Sequence, residues 1–579
     1  MRGRTWRGSR PLPGLLSLSC VVGAIAVYLF EAGDSRAHLD DAFISYRYAR
    51  NLVEGYGLVY NPGEYVEGYT NLLWTLMVAL GIWLGHEAPE VSRILSLLFG
   101  SGVLLATFEL ARGEGRATWS AVLAPWIVLS SAAFVVWSMS GMETPLVVLA
   151  VTAALAAELC GRNGLAATFV AIAVLTRPDG ILAAAAIFGA RLARGDLKTA
   201  RDWIPPLGVG AVIAMLSCFR IVYYGSLLPN TFYAKVGGIP WTRGVQYTGE
   251  FLASGTFLLL YPAARAIWRD RRTWPSAAFV LITLAYVLAV GGDVFSNSRF
   301  LLPILPVLVA LAACDIGRVE KPLSGDSVLA ISCYLAAPIW LALGTLAGAI
   351  AIGIGIALSQ WIPNEARTWR LASVGLVILA AALTAPWLTP REWKSWNPIE
   401  QSSRTRRTQV IHDAERHQVA LSLRLRSLAD DILRVDPPVQ LVAAGGIGMV
   451  GYFSNLPIVD YMGLVTQQVA RAPKQGDQEG RLMLPGHQSS NADYVLATRP
   501  DYIMISKEVV ARFDFPAVRD ILAHPDLHRD YEWRQHPLPG YWRREKDWKL
   551  AGVARVPGSS AWFMPGERPQ NPPALDLGS

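Results

Sequence analysis

Two neighbouring carboxylates, Asp40 and Asp41, stand in the string HLDDAFISYRYARN, directly after the first apolar stretch of the chain. Phe43, then Tyr46 or Arg47, and then Arg50 follow at helical spacing, which predicts an amphipathic helix that begins at the two aspartates. The helix dipole favours acidic residues at such a start, so either carboxylate could simply be a cap. Repulsion between adjacent carboxylates can also raise the pKa of one of them, which suits proton abstraction. The pair is therefore a candidate general base, with capping as the alternative.

Several other polar residues lie between apolar stretches, where charges are costly unless they are solvated, paired or functional. Arg177 and Asp179 in LTRPDG could form a local ion pair that shapes a turn, and Lys235 in NTFYAK could be an interfacial anchor or a phosphate ligand. Arg299 opens an apolar stretch from the side that carries few basic residues, which indicates a function. With the first loop, these segments supply the candidate substrate-binding residues Tyr46, Arg47, Glu67, Asn71, Glu143, Arg177, Asp179, Asn230, Tyr233, Lys235, Asp293 and Arg299.

This mixture of carboxylates and cations suits a lipid-linked phosphate that carries a sugar. Carboxylates can hold or deprotonate sugar hydroxyls, and Arg and Lys can hold the phosphate as it leaves. A phosphate monoester is already a competent leaving group, so a positioned base would suffice, and both inverting and retaining courses stay open. No spacing of His and Cys predicts a metal site, and no cofactor is expected, although the aspartate pair could accept a divalent cation.

The composition shows what must position these residues. The chain has 579 residues, of which 52% are hydrophobic and 17% charged, whereas an average soluble protein has about 25% charged residues. Residues 11–387 form a near-continuous series of apolar blocks, and residues 390–579 are an ordinary foldable sequence. We therefore predict a transmembrane catalytic domain over residues 1–387 and a soluble domain over residues 388–579.

A bilayer core needs about 20 apolar residues per helix, somewhat fewer in tightly packed bundles. We predict thirteen spans, approximately at 12–30, 92–110, 118–137, 144–160, 164–177, 180–193, 204–223, 250–267, 275–291, 299–315, 327–343, 344–361 and 370–387. The apolar stretch at 71–85 is short, and we place it along the outer interface. The predicted fold is a polytopic α-helical membrane protein.

Basic residues are retained on the cytoplasmic side, and the loops that hold most of the Arg and Lys before residue 388 place the amino terminus inside. The carboxy-terminal domain is then extracytoplasmic, and the first stretch is a retained helix because no small-residue cleavage site follows it. All five cysteines lie in or beside predicted spans, so that domain has no disulfide. The net charge of +7 fits the inside bias and gives no reason to expect nucleic acid as a partner.

Short apolar runs, helical stretches and Gly or Pro turns indicate a mixed α/β fold for the carboxy-terminal domain. Its segment GGIGMVG is similar to a phosphate-binding loop, but we interpret it as a strand followed by a turn, because a nucleotide is not expected outside the cytoplasm. Binding or positioning of an acceptor glycan is the expected role of this domain. His487 in PGHQ is a candidate contact with that acceptor.

The strings LDDAFISYRYARNLVEGYGLVYNPGEYVEGYTNLLW, WSMSGMETPL, LTRPDG, LLPNTFYAKVG and GGDVFSNSRFLLP together resemble the glycosyltransferase C superfamily. The resemblance is closest to the branch that contains the mycobacterial terminal arabinofuranosyltransferase. It implies a bacterial enzyme of the cytoplasmic (inner) membrane that passes a sugar from a polyprenyl-phosphate donor to an extracytoplasmic glycan or glycolipid. The resemblance makes Asp40 and Asp41 the expected catalytic residues, with arabinofuranose or another monosaccharide as the sugar.

Two other functions compete with this prediction. A transporter or flippase for a lipid-linked sugar would show internal repeats and charges near the middle of the bilayer. The sequence shows neither, since its polar residues cluster at one predicted face of the membrane. A structural subunit that has lost its active site is the second alternative, and transfer that survives replacement of Asp40 and Asp41 would favour it or a different active site.

Overall fold

The computed structural model describes residues 14–33, 35, 37–113, 118–235, 241–293, 295, 298–318, 325–343, 407–434, 438–475, 482–483, 487–506, 513–537 and 549–555. The predicted spans at 344–361 and 370–387 lie outside these residues. So does the predicted boundary between the two domains at residue 387.

The first part of the chain is helical. Its helices are α1 (Leu15–Gly33), α2 (Asp40–Val53), α3 (Leu72–Trp83), α4 (Ala88–Arg112), α5 (Trp119–Leu129), α6 (Ala132–Met139), α7 (Thr144–Leu159), α8 (Asn163–Thr176), α9 (Ile181–Arg194), α10 (Ala200–Tyr224), α11 (Asn230–Lys235), α12 (Trp241–Ala253), α13 (Leu260–Arg269), α14 (Trp274–Val290), α15 (Ile304–Ile316) and α16 (Gly325–Leu343). Short 3₁₀ turns cover Pro178–Gly180, Thr256–Leu259, Arg271–Thr273 and Arg299–Leu301.

The helix ends follow from local chemistry. The Thr118 hydroxyl accepts a hydrogen bond from the backbone N–H of Ala121 at the start of α5, and Thr199 forms a capping box with Asp202 at the start of α10. Gly195 and Gly225 adopt left-handed backbone conformations directly after α9 and α10. Such glycines satisfy the last carbonyls of a helix without a Cβ clash.

Four segments are long and apolar enough to cross a membrane: Ala88–Arg112, Ala200–Tyr224, Arg271–Val290 and Arg299–Ile316. Two bent pairs raise this number to six within the described residues. The pair α5 and α6, bent by 57°, covers the predicted span at 118–137. The predicted span at 250–267 is wrong as a single helix, because α12 and the segment Thr256–Arg269 meet at 77°. The chain turns there at Gly255, whose φ of 114° is unfavourable for residues with a Cβ.

Helix α3 covers most of the short apolar stretch that we placed along the outer interface. Its 12 residues correspond to about 18 Å of helix, which is less than the about 30 Å of a bilayer core. One face exposes Leu76, Leu80 and Trp83. The length of α3 therefore agrees with a helix that does not span the membrane.

Helices α7, α8 and α9 run back and forth between two polar ends. At one end, Arg177 after α8 lies 2.8 Å from Glu143 before α7. At the other end, Arg191 of α9 lies 2.6 Å from Glu158 of α7. The candidate site residues of these loops thus gather at one end of the bundle, and the basic residues that we predict to face the cytoplasm gather at the opposite end.

The carboxy-terminal α/β region, residues 407–555, combines helices with a mixed sheet. Its elements are α17 (Arg407–Leu433), β1 (Val442–Ala444), α18 (Gly448–Ser454), β2 (Ile458–Asp460), α19 (Gln467–Ala470), β3 (Leu482–Met483), α20 (Ala492–Ala497), β4 (Tyr502–Ser506), β5 (Phe513–Asp514), α21 (Pro516–Ala523), α22 (Pro525–Asp530), β6 (Tyr531–Pro537) and β7 (Lys549–Arg555). Five strands form one sheet in the order β2, β1, β4, β7, β6. Strand β1 pairs in parallel with β2 and β4, whereas β7 is antiparallel to β4 and β6.

The two faces of this sheet enter different hydrophobic cores. Val442 and Ala444 of β1 belong to the large core that also contains the membrane helices, whereas Ala443 belongs to a smaller core under α20 and α21. Successive side chains of a strand point to opposite faces, so this alternation is expected. Because the large core is continuous from α2 to β1, the carboxy-terminal α/β region packs directly on the loop that contains α2.

Candidate functional site

Asp40 and Asp41 begin α2, as the sequence predicts, but Asp40 caps a different helix. Its two carboxylate oxygens accept hydrogen bonds from the backbone N–H groups of Gly448, at 3.0 Å, and Met449, at 2.7 Å. These N–H groups open α18, and the N-terminus of a helix stabilises a negative charge. Burial raises the pKa of Asp40 to about 6, although these N–H groups favour its ionised form. The Asp40 carboxylate is thus occupied by the carboxy-terminal α/β region.

The glycine-rich segment GGIGMVG does bind an anion, and that anion is Asp40. The segment follows strand β1 with a turn at 445–447, as predicted, but its second half is the start of helix α18, which the interpretation as a strand and a turn did not include. A Cβ on Gly448 would lie 1.7 Å from the Asp40 carbonyl oxygen. A Cβ on Gly451 would lie 1.9 Å from the Tyr60 hydroxyl and 2.6 Å from Nη1 of Arg47. The glycines therefore allow α18 to approach the first loop closely.

Arg47 ties the same two parts of the chain together. It is fully buried, and its guanidinium donates to the carbonyls of Tyr60, Gly451 and Leu456, each at 2.8 Å. Its prediction as a substrate-binding residue is wrong in this respect, because its donors are used by backbone carbonyls. We call Asp40, Arg47, Tyr60 and helix α18 the anchor cluster.

Tyr46 is also enclosed by protein. Its side chain is fully buried, and its hydroxyl donates to the Gly141 carbonyl at 3.0 Å and shares a hydrogen bond with Ser92. The prediction that Tyr46 contacts substrate is contradicted by this burial. The residue instead fixes the first loop against α4 and the loop before α7.

Four of the predicted residues form a polar network across the ends of α3, α7 and α8. The Glu143 carboxylate accepts from Arg177 Nη1 at 2.8 Å and from Asn71 Nδ2 at 2.9 Å. Arg177 also makes an ion pair with Asp179 at 2.8 Å, which confirms the local ion pair as the alternative for these two residues. Burial opposes ionisation of Glu143, but Arg177 and Arg299 outweigh it and hold the pKa of Glu143 below its ordinary value. Each carboxylate of the network thus has a protein partner.

Arg299 lies in a box of aromatic rings. Its Nε donates to the Asp293 carboxylate at 2.7 Å. Its guanidinium carbon lies 5.2 Å from the ring centre of Trp137, 5.1 Å from that of Phe295 and 5.4 Å from that of Phe300. Aromatic faces attract cations, so these rings stabilise the buried charge. Sequence reasoning missed this box because Trp137 reads as part of an apolar span.

Asp41 differs from all these carboxylates. Among the described residues, no protein group donates a hydrogen bond to it. Burial raises the pKa of Asp41, and the positive charges of Lys235 and Arg299 oppose this rise, while Asp293 and Glu143 add to it. These influences come from three loops that are distant in sequence, since Asp293 and Arg299 share one loop. The predicted convergence of charged residues around Asp41 is therefore present.

Lys235 ends α11 with an exposed side chain, and its ammonium group has no hydrogen-bond partner in the part of the chain that the structure describes. The backbone beside it is held by Lys474, whose Nζ donates to the carbonyls of Tyr233, at 2.7 Å, and Ala234, at 2.6 Å. Lys474 is a lone lysine in RAPKQG, and no sequence signal could have identified this role. We call Asp41, Lys235 and Arg299 the open cluster.

Glu67 and Asn230 fix the start of α11. Glu67 forms a buried ion pair with Arg220 at 2.9 Å, and its carbonyl accepts from the backbone N–H of Asn230. The Asn230 amide donates to the carbonyls of Gly463, at 2.8 Å, and Leu464, at 3.0 Å. Both were predicted as substrate-binding, but the Glu67 side chain joins the first loop to α10, and the Asn230 side chain joins α11 to the carboxy-terminal α/β region.

Of the last two predicted residues, Tyr233 of α11 contacts that region and His487 belongs to it. The Tyr233 ring lies under the Arg471 guanidinium, 5.0 Å from its central carbon. His487 packs edge-on against Phe515, with 5.6 Å between ring centres. Its role as an acceptor contact stays a prediction. Within the described ranges, no three His, Cys, Asp or Glu side chains form a group that could hold a metal ion.

Comparison with known proteins supports the family resemblance. A family model described as a domain of unknown function (DUF8728) matches residues 409–564. A terminal beta-(1->2)-arabinofuranosyltransferase of Corynebacterium glutamicum is 23% identical over 88% of this chain and 82% of its own length. The protein of the same name from Mycobacterium tuberculosis is 31% identical over 41% of each chain.

A similar fold occurs in a solved structure. The chain matches the crystal structure of ArnT from Cupriavidus metallidurans bound to undecaprenyl phosphate. The match covers 95% of this chain and 99% of the ArnT chain, with a TM-score of 0.53 and 13% sequence identity. At this identity the likeness shows the fold alone. Together the comparisons confirm the predicted resemblance to the terminal arabinofuranosyltransferase branch, and they confirm a multi-pass helical membrane fold. Both relatives carry names of glycosyltransferases, the enzyme class that the sequence predicts.

Proposed function

We propose that the chain is a membrane glycosyltransferase that moves a sugar from a polyprenyl-phosphate donor to a glycan or glycolipid acceptor outside the cytoplasm. The observation that carries this proposal is the open cluster. A partly buried carboxylate, to which no group in the described part of the chain donates a hydrogen bond, lies in the electric field of a lysine and an arginine from two distant loops. Such a combination is costly to fold and suits a charged substrate.

Asp41 is the general base of the proposed reaction. Its carboxylate takes the proton from the acceptor hydroxyl as that oxygen attacks the anomeric carbon, and a positioned base contributes about 10²-fold to 10⁴-fold to the rate. Asp40 has no such freedom, since two backbone N–H groups hold its oxygens. The catalytic role predicted for the aspartate pair is therefore assigned to Asp41 alone.

Lys235 and Arg299 neutralise the phosphate as it leaves. Arg299 already has a carboxylate partner in Asp293, whereas the ammonium group of Lys235 is exposed. Lys235 is thus the more available phosphate ligand, with Arg299 adding charge from its aromatic box. The solved structure of similar fold holds undecaprenyl phosphate, which supports a lipid phosphate as the donor head group.

The names of both relatives favour arabinofuranose as the sugar. We further propose that the chain has thirteen spans in the cytoplasmic membrane, with the amino terminus inside. The open cluster and the carboxy-terminal α/β region then face outward. The contact between Asp40 and α18 supports this arrangement, because it requires the first loop and that region to share one side of the membrane.

The test is a transfer reaction with purified full-length protein in lipid nanodiscs. Polyprenyl phosphates that carry arabinofuranose, mannose, glucose or galactose are incubated with an oligosaccharide acceptor, and products are followed by mass spectrometry. We expect the donor that carries arabinofuranose to give the fastest transfer of the four. Absence of transfer or donor hydrolysis from every member of the panel would contradict the proposal.

A further inference from the structure

A polar hollow of 540 Å³ opens on the carboxy-terminal α/β region between α19, α20 and the end of α21. The side chains that matter in its wall are those of Gln468, Arg471, Ser490, Asp493, Asp520 and His524. Its volume lies within the range of about 300–1,000 Å³ that small-molecule sites occupy. None of the roles assigned above uses this hollow.

The charges of the wall select a class of ligand. Asp493 and Asp520 contribute two carboxylates, of which Asp520 already accepts a hydrogen bond from Gln475 and lies 3.6 Å from Arg519, and Arg471 contributes one fixed positive charge. His524 already lies 3.0 Å from Asp493. The balance disfavours phosphate or another anion, because anion sites need an excess of donors and positive charge. Carboxylates accept hydrogen bonds from hydroxyls, and Arg and Gln donate them, so the wall matches a neutral polyhydroxyl compound.

One group of the wall lacks a protein partner. The Ser490 hydroxyl is buried and has no hydrogen-bond partner among the described residues. Buried polar groups are nearly always hydrogen-bonded, and an exception calls for an explanation such as a ligand or water. Because its oxygen is closed off from the surface, this hydroxyl lies behind the wall, and the Asn491 side chain beside it caps α20, so the groups that can reach a ligand are the charged and amide side chains of the wall.

The hollow is joined to the open cluster through one short segment. Arg471 lies in its wall and covers the Tyr233 ring, while Lys474, three residues later, holds the carbonyls of Tyr233 and Ala234. Lys235 follows directly. A long ligand bound in the hollow therefore lies against segment 471–474, on the side of it that faces away from Lys235.

We propose that this hollow is a distal subsite for a neutral oligosaccharide, the part of the acceptor glycan that lies away from the reacting end. The identity of the ligand as an acceptor rests on the proposed function. The existence of a carbohydrate site does not, because binding can be measured without any transfer.

The first experiment measures binding to full-length protein in nanodiscs without donor, by isothermal titration calorimetry. The probes are an arabinofuranose hexasaccharide and maltohexaose, with inorganic phosphate as a competitor. Ala472→Trp places a large side chain in the wall of the hollow, and Ala200→Trp, exposed at the start of α10, is the matched control. We expect Ala472→Trp to weaken binding of at least one probe by tenfold or more, and phosphate not to compete.

A second variant protects against misfolding of the first. The Asp493 side chain is 94% exposed, so Asp493→Ala should leave the thermal unfolding midpoint nearly unchanged while it weakens probe binding by threefold or more. Binding of neither probe to the unmodified chain, or binding that both variants leave intact, would overturn the subsite. Competition by phosphate would overturn its assignment to a neutral ligand.

Transfer assays separate the two proposals. If both are right, Ala472→Trp raises KM for the hexasaccharide acceptor about tenfold but leaves KM for a disaccharide acceptor and for the donor unchanged. Equal effects on both acceptors would overturn the distal position of the subsite. A protein that binds the probes through this hollow but transfers no sugar would overturn the proposed function and leave the carbohydrate site standing.

Discussion

The anchor cluster and the open cluster begin at adjacent residues of α2, yet the hydrogen bonding of their charged groups differs. In the anchor cluster, the Asp40 oxygens and the Arg47 nitrogens meet backbone groups of the carboxy-terminal α/β region at 2.7–3.0 Å. In the open cluster, Asp41 and Lys235 have only long-range electrostatic partners within the described residues.

This difference shows how to separate structural charges from functional ones. A buried charge that the fold needs for its own stability is satisfied by protein donors or acceptors. A charge that waits for a substrate is held in place by its neighbours but left without a hydrogen bond. By this criterion we propose Asp41 and Lys235 as functional residues and Asp40 and Arg47 as structural ones.

Replacement of Asp41 should break the comparison most strongly. Asp41→Asn removes the proposed base, so we expect kcat to fall by about 100-fold or more while the unfolding temperature changes little. The matched variant Asp40→Asn should show the reverse pattern, with a lower unfolding temperature and a smaller loss of kcat. Mass-spectrometric transfer assays and thermal unfolding measure the two effects, and equal losses of activity in both variants would contradict the division.

Replacement of Lys235 should have the next largest effect. Lys235→Met keeps the length of the side chain but removes the charge, and we expect KM for the lipid-phosphate donor to rise about tenfold, since each charge-assisted hydrogen bond contributes about 1.5–3 kcal/mol. Lys198→Met, on an exposed lysine at the predicted cytoplasmic side, is the control. Steady-state kinetics with varied donor decides the matter, and an unchanged donor KM would remove Lys235 from the phosphate site.

The anchor cluster can be tested through its glycines. Gly448→Ala forces a Cβ to within 1.7 Å of the Asp40 carbonyl oxygen, whereas Gly446→Ala brings one only to 3.7 Å of the Asp40 carboxylate. We expect Gly448→Ala to destabilise the protein by about 1–3 kcal/mol, the usual cost of overpacking, and Gly446→Ala to have a much smaller effect. Limited proteolysis and thermal unfolding report the difference. Similar stability of the two variants would argue against close contact between α2 and α18.

The smallest expected effect is a shift of the pH profile. Asp41 must be ionised to act as a base, and burial raises its pKa, so activity should fall with decreasing pH around a midpoint above that of an ordinary aspartate. The positive charge of Lys235 lowers the pKa of Asp41, so Lys235→Met should move this midpoint upward. A plot of kcat/KM against pH for both proteins measures it, and a downward shift would contradict the electrostatic role of Lys235.

The sequence predicts the convergence of the outer loops well. Alternating spans bring every second loop to the same face, which is enough to place Asp41, Glu143, Lys235 and Arg299 together. It also predicts that Arg177 and Asp179 could pair, because they are two residues apart in a turn. These predictions depend only on hydrophobic length and local spacing.

The partners of each charge could not be predicted, because they are remote in the chain. The N–H groups that hold Asp40 are 408 and 409 residues away, and Arg47 meets Gly451 across 404 residues. Because these partners are so remote in the chain, no local sequence pattern distinguishes Asp40 from Asp41. The broken span at 250–267 was missed for a different reason, since Gly255 is one glycine among 51 in the chain and its backbone conformation is not visible in the sequence.

The close approach at Gly448 has a consequence for protein engineering. Helix α18 and the beginning of α2 fit as a matched pair, through a missing Cβ on one side and a carboxylate on the other. A chimera that takes its carboxy-terminal α/β region from a related enzyme must therefore take α2 from the same parent. If only the carboxy-terminal α/β region is exchanged, α18 and the start of α2 come from different parents and their close contact is lost.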